Sequence, residues 1–233
     1  KYDAIVKAAD KAIEAAKQLT VESVKALNAT QVEVKFSKAV KKSSVITAGS
    51  DTLVSGVFQF KTLDGKKVDA KNATAKLSED GKTLVITSAT VFEGRYDVVI
   101  EGALDKDGKA VEKFKKVIDF AKDTVAPTIV STEKLTANNV KVKFSEPITL
   151  NADPTFKLEN GAVVTDITIK TTGDSVTFDL SAAKVNGADL AANVNVIATF
   201  VGVQDKALNL LTPNPATVTF VKGAKDGVAP TVS

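Results

Sequence analysis

Val140-Lys-Val-Lys-Phe-Ser-Glu-Pro-Ile148 reads as one amphipathic β-strand and its exit. Val140, Val142 and Phe144 alternate with Lys141 and Lys143, and a period of two puts the three apolar side chains on one face. Asn138 and Asn139 precede the run, and Glu146-Pro147 follows it, where a ladder tolerates a missing N–H. The pattern occurs earlier as Val32-Glu-Val-Lys-Phe-Ser-Lys-Ala-Val40. Leu27, Ala29, Val32, Val34, Lys35, Phe36 and Ser37 recur 108 positions later as Leu135, Ala137, Val140, Val142, Lys143, Phe144 and Ser145. A spacing held over so many positions is an internal repeat of domain length.

The repeat divides the 233 residues into two modules of roughly 100 residues, a size that buries its own core. A helix precedes them: Ala4, Ile5, Ala8, Ala9, Ala12, Ile13, Ala16 and Leu19 fall at helical spacing, in a stretch free of Gly and Pro. From Thr20 the chain reads as short strands separated by Asp-Gly and Asn-Gly turns, which predicts an all-β architecture of two β-sandwiches. Strands are expected at Gln31–Ser37, Val57–Leu63, Ala70–Leu77, Thr83–Thr87, Tyr96–Ile100 and Val111–Phe120. In the second module they fall near Val140–Ser145, Thr155–Leu158, Val163–Lys170, Val176–Leu180, Val194–Phe200 and Ala216–Val221. The Ala-rich stretch Ser181–Asn193 predicts a short helical turn broken at Asn186-Gly187. The boundaries are 1–19 for the helix, 20–124 and 125–227 for the sandwiches, and 228–233 for the start of a further domain. Asp123-Thr-Val-Ala-Pro-Thr128 and Asp226-Gly-Val-Ala-Pro-Thr231 mark the two joints, which proline keeps short and stiff. Lys1 is not a natural start, so the chain is expected to be a piece of a longer string.

Composition narrows the chemistry. There is no Cys, His, Met or Trp, and Arg95 is the one Arg among 31 basic residues. Without thiolate or imidazole the usual nucleophile–base pairs and Cys/His zinc sites cannot be built, while oxygen-ligand metals remain open. The net charge of +3 comes from Lys spread along strands, a solvated and edge-protecting pattern rather than a nucleic-acid surface. Glu93, Asp97, Glu101 and Glu146 supply carboxylates for paired acid–base work, but they read as outward strand or turn positions with no aromatic sugar platform nearby. No catalytic residue is assigned, and the chain is expected not to be an enzyme. Asp105-Lys-Asp-Gly-Lys109 opens like an EF-hand loop, yet Lys116 stands where the closing Glu belongs, so it reads as a hairpin turn.

The V-K-V-K-F-S-E-P-I string, the Gly202-Val-Gln-Asp-Lys-Ala-Leu-Asn209 segment and the D-x-V-A-P-T joints resemble the immunoglobulin-like domains of bacterial surface-layer (S-layer) proteins of the Bacillus/Lysinibacillus type. Tandem copies behind an Ala/Lys-rich helix are similar to the region that follows the wall-anchoring repeats of that family. The resemblance implies two Ig-like sandwiches, a secreted protein at the cell wall, and rigid modules that self-associate into a two-dimensional lattice. Wall-polymer binding would fall to regions outside the chain, with no nucleic acid and no membrane insertion. A spacer or carbohydrate-binding module of a secreted enzyme, or an adhesin stalk, is the alternative.

The joints raise a metal question. Asp105 and Asp205 occupy matching last turns (Gly102, Asp105, Lys106 and Phe120 correspond to Gly202, Asp205, Lys206 and Phe220), and Asp123 and Asp226 open the joints. Asp123 and Asp226 either start turns ahead of the prolines or join Asp105 and Asp205 as calcium ligands. The resemblance to S-layer proteins, whose assembly often uses calcium, favours the metal. The first module departs from the pattern: Lys38-Ala39 stands where the second has Glu146-Pro147.

Overall fold

The two copies of the alternating stretch form inner strands of two separate sheets. The computed structural model describes residues 5–7, 13, 18–63 and 73–223, and the chain divides into two units, Lys1–Asp123 and Thr124–Ser233. In the first unit, β1 (Val21–Ala26), β2 (Gln31–Phe36), β4 (Thr74–Leu77) and β5 (Thr83–Thr87) pair in the order β1-β2-β5-β4. β3 (Phe58–Thr62), β6 (Gly94–Ile100) and β7 (Phe114–Phe120) make the second sheet, in the order β3-β6-β7. One turn of helix, α1 (Lys42–Val45), lies between β2 and β3.

The second unit repeats this plan. β8 (Ile129–Lys134), β9 (Asn139–Phe144), β12 (Thr168–Thr172) and β13 (Ser175–Asp179) pair as β12-β13-β9-β8. β10 (Thr155–Leu158), β16 (Asn195–Phe200) and β17 (Ala216–Val221) form the facing set. A small third sheet is added by β11 (Val164–Thr165), β14 (Lys184–Val185) and β15 (Ala188–Asp189). All pairings are antiparallel, including the β2–β5 and β9–β13 ladders that flank the repeated strands.

The repeat extends to irregularities. β1 slips against β2 between Val21 and Ser23, and β8 slips against β9 between Ile129 and Ser131, the equivalent residues. Beyond each slip a serine clasps the chain. Ser37 Oγ accepts from Thr20 N at 2.9 Å while Ser37 N donates to Thr20 O at 3.0 Å. Ser145 does the same with Thr128, at 3.0 and 2.9 Å. The serine of the K-F-S motif is therefore a clasp: its side chain satisfies the backbone donor of the residue just before β1 or β8.

Alternation places the core. Val32, Val34 and Phe36 are buried in one apolar cluster, and Val140, Val142 and Phe144 in another, each drawing residues from both sheets of its unit. Phe144 packs edge-on to Phe200 with ring centroids 5.6 Å apart, so β9 is pinned to the facing sheet by an aromatic contact. The strand–sandwich reading is borne out, and the strands at Thr83–Thr87, Thr155–Leu158 and Ala216–Val221 are found at the expected bounds.

Three segments differ. Ser181–Asn193 carries no helical turn; it holds β14 and β15, joined by Asn186 at φ 50 and Gly187 at φ 80. Two successive positive φ values make the tight turn of a two-residue hairpin, and that geometry overrides the helix preference of the alanines. Val163–Lys170 splits into β11 and β12 around Asp166, whose φ of 59 interrupts the strand. α1 was not expected, because four residues are too few for a periodic signal; Val45 anchors it in the core. Of the expected N-terminal helix, residues 5–7 and 13 are helical, with Ile5, Val6 and Ile13 exposed. Leu19 is fully buried in the first core, where its carbonyl accepts from Glu112 N at 2.8 Å.

Separate cores predict separate unfolding. Phe144→Ala should cost the second unit roughly 3–5 kcal/mol through the cavity it leaves. Both tyrosines, Tyr2 and Tyr96, lie in the first unit. Tyrosine fluorescence in a urea titration should therefore keep its midpoint while the far-UV circular dichroism gains an earlier transition.

Candidate metal centre

The inward row does not stop where the strand does. In the second unit Phe144, Glu146 and Ile148 are buried and Ser145 is exposed, so the period of two carries Glu146 to the core side. Glu146 is 5 % exposed. The expectation that it sits outward with Glu93, Asp97 and Glu101 is corrected here: the chain bends at Ser145 and Glu146, and the alternation of buried and less buried side chains still runs on to Ile148. The other three remain near the surface. Asp97 pairs with Lys115 at 3.8 Å and Glu101 with Lys113 at 2.9 Å, across β6 and β7, while Glu93 is exposed.

Asp105 and Asp205 hold equivalent loops. Each backbone N–H donates to the carbonyl four residues on: Asp105 to Lys109 at 2.9 Å, and Asp205 to Asn209 at 3.1 Å. The carboxylates then cap the same loops from inside. Asp105 Oδ1 accepts from Asp107 N and Lys109 N, both at 2.9 Å. Asp205 Oδ1 accepts from Asn209 N at 2.8 Å and its Oδ2 from Asn209 Nδ2 at 2.8 Å. The hairpin-turn reading of Asp105-Lys-Asp-Gly-Lys109 is thus found in the geometry. Isolated bridges tie each loop to the segment after the repeated strand, Val40 with Asp105 and Thr149 with Gln204.

That placement brings position 38 or 146 against the loop aspartate. In the first unit Lys38 Nζ lies 4.0 Å from Asp105 Oδ2, and that oxygen is buried without a hydrogen-bond donor. Asp105 is 3 % exposed, so the pair interacts as charges in a poorly solvated place. In the second unit the corresponding pair is Glu146 and Asp205, whose carboxylates each place an oxygen within 4.8 Å of the other. Asp205 is 2 % exposed. The same pocket therefore joins a cation to an anion in one unit and two acids in the other.

Asp123 accepts a hydrogen bond from Ala29 N at 2.7 Å through its Oδ2. Ala29 N belongs to the Asn28–Gln31 turn, whose other donors, Thr30 N and Gln31 N, go to Asn28 Oδ1. Asp123 is fixed by that turn rather than left loose in the joint. Asp226 lies outside the described residues.

The donor set suits a hard cation. Glu146 and Asp205 offer only oxygens, and the chain has no Cys or His to hold a softer metal. Two buried acids repel, and a divalent ion between them reverses the sign of that term. In the first unit the Lys38 ammonium already supplies positive charge, so the residues there do not call for a metal.

No protein-family profile matches the chain. An outer cell wall protein of Brevibacillus brevis (strain 47 / JCM 6285 / NBRC 100599) is 34% identical over 147 residues, covering 62% of this chain and 12% of that protein. An S-layer protein of Geobacillus stearothermophilus is 27% identical over an alignment of 235 positions, covering 89% of this chain and 19% of that protein. Among solved structures, the S-layer protein rSbsC(31-844) aligns with a TM-score of 0.44 at 24% identity, covering 90% of this chain and 26% of that one. The chain is similar to bacterial surface-layer and outer cell wall proteins, as its motifs suggested, and it spans a fifth or less of the curated relatives' length.

Two variants test the paired loops. Gly108 and Leu208 are equivalent and both take positive φ, 82 and 73. Leu208 is 72 % exposed, so packing does not compensate the strain. Leu208→Gly should stabilise the second unit by about 0.5–1 kcal/mol, the left-handed penalty less the entropy glycine loses. Lys38→Met should destabilise the first unit by about 3 kcal/mol, the low end for stripping one partner from a buried pair. Denaturant titrations of both variants measure these shifts.

Proposed function

We propose that this chain is a structural segment of a bacterial surface layer, carried at the outside of the cell wall and contributing β-sandwich modules to a two-dimensional lattice. The observation that carries the reading is the similarity to the Geobacillus stearothermophilus S-layer protein across 89% of the chain. The described residues add two features. Each unit has its own apolar core, so it keeps its form without a partner. Among the described residues, no helix is long and apolar enough to cross a membrane. Edge strands β8 and β12 present mostly exposed side chains, rich in Thr, Ser and Lys, which suits reversible polar contacts between copies. The segment works as a building element and not as a catalyst.

We propose further that calcium assists it. Glu146 and Asp205 are the ligands assigned in the second unit. Bound there, calcium supplies the positive charge that Lys38 supplies in the first unit. Calcium takes six to eight oxygens in flexible geometry, so backbone carbonyls and water would complete the shell.

Two measurements test the reading. Electron microscopy of the concentrated, purified chain with calcium should reveal ordered sheets; a monomer at every concentration by analytical ultracentrifugation would count against lattice formation. In calorimetry, calcium should raise the melting temperature of the second unit and leave the first unchanged. Glu146→Gln should remove that response. A rise of equal size in both units, or one that survives Glu146→Gln, would place the ion elsewhere.

A further inference from the structure

The described residues contain two Asn-Gly pairs, and the fold treats them differently. Asn160-Gly161 follows β10, in a turn where every relevant atom is tied. Gly161 N donates to Leu158 O at 2.9 Å, Ala162 N donates to Asn160 Oδ1 at 3.0 Å, and Leu158 N donates to Ala162 O at 2.8 Å. Asn186-Gly187 joins β14 to β15, and both residues are exposed. Among the described residues neither the Asn186 side chain nor the Gly187 N–H takes a hydrogen bond. A side-chain carbon built at Gly187 would meet nothing within 4 Å, so the space around this peptide is open.

We infer that Asn186 is a site of spontaneous deamidation and isoaspartate formation. Glycine leaves the following N–H unshielded by any side chain, which is what the reaction needs. The Gly187 backbone nitrogen, giving its proton to solvent, attacks Asn186 Cγ and forms a C–N bond. The Cγ–Nδ2 bond breaks and the amide nitrogen leaves as ammonia, taking a proton from water. The resulting five-membered imide is opened by water at either carbonyl. Attack at Cγ gives aspartate; attack at the former backbone carbonyl gives isoaspartate, with the chain routed through the side chain. No electrons are exchanged, and solvent water is the only co-reactant.

At Asn160 the same path requires freeing both Gly161 N and Asn160 Oδ1 from their partners, which slows it. The product at position 186 has structural weight. β14 and β15 pair as Lys184 with Asp189 and Val185 with Ala188, across a loop of two residues. Isoaspartate adds a backbone methylene to that loop, so this register no longer closes. Either product also adds one negative charge to an exposed turn, which makes Asn186 a slow age mark on the exposed surface of the second unit.

Peptide mapping by mass spectrometry of the full chain, incubated in mildly alkaline buffer with and without urea, tests this. In native buffer Asn186 should convert about tenfold faster than Asn160, the factor that ~1.4 kcal/mol in a barrier confers. In urea the two rates should converge, because the turn that protects Asn160 is gone. Native conversion of Asn160 as fast as Asn186 would overturn the inference. So would a native ratio that persists unchanged in urea, since neighbouring residues rather than the fold would then set it.

Discussion

Both units depend on one row of inward side chains. In the second it runs Val140, Val142, Phe144, Glu146 and Ile148, all buried. In the first, Val32, Val34, Phe36 and Val40 are buried and the row passes through Lys38, whose side chain is 16% exposed. The apolar members join the facing sheets, and the constraint that orients them also turns the residue after the serine clasp inward. That residue is charged in both copies. A charge carried into a poorly solvated place must meet a counter-charge or be destabilising, and the partner offered by the fold is an aspartate capping the loop tied alongside.

The two copies meet that demand differently. Lys38 faces Asp105 and the pair balances. Glu146 faces Asp205, with carboxylate oxygens within 4.8 Å of one another. The side-chain hydrogen bonds of Asp205 to Asn209 hold the loop without supplying positive charge; Lys109 occupies the place of Asn209 in the first unit and donates through its backbone alone. The proposed calcium would give the second unit the positive charge that Lys38 gives the first. The equivalent position thus carries Lys in one unit and Glu in the other, with the same strand order around it.

Much of this was legible in the residues. Alternation gave the cores, the 108-residue spacing gave the equivalence of β2 with β9, and Asp105 with Asp205 followed from the 100-residue spacing near the ends. Glu146 was misplaced because Pro147 drew it into a turn. The same period that assigned Phe144 to the core would have assigned Glu146 there too. The β14–β15 hairpin was hidden by alanines whose helix preference is weak beside the turn chemistry of Asn186-Gly187. The hydrogen bond from Ala29 N to Asp123 joins residues 94 apart and leaves no trace in local sequence. Asp226 falls outside the described residues.

Crystals of the chain grown with calcium and measured at a wavelength where calcium scatters anomalously test the charge argument most directly. The account predicts an anomalous peak between the Glu146 and Asp205 carboxylates and none between Lys38 and Asp105. A peak at the Asp105 loop, or a calcium-saturated crystal with no peak beside Glu146, would contradict it.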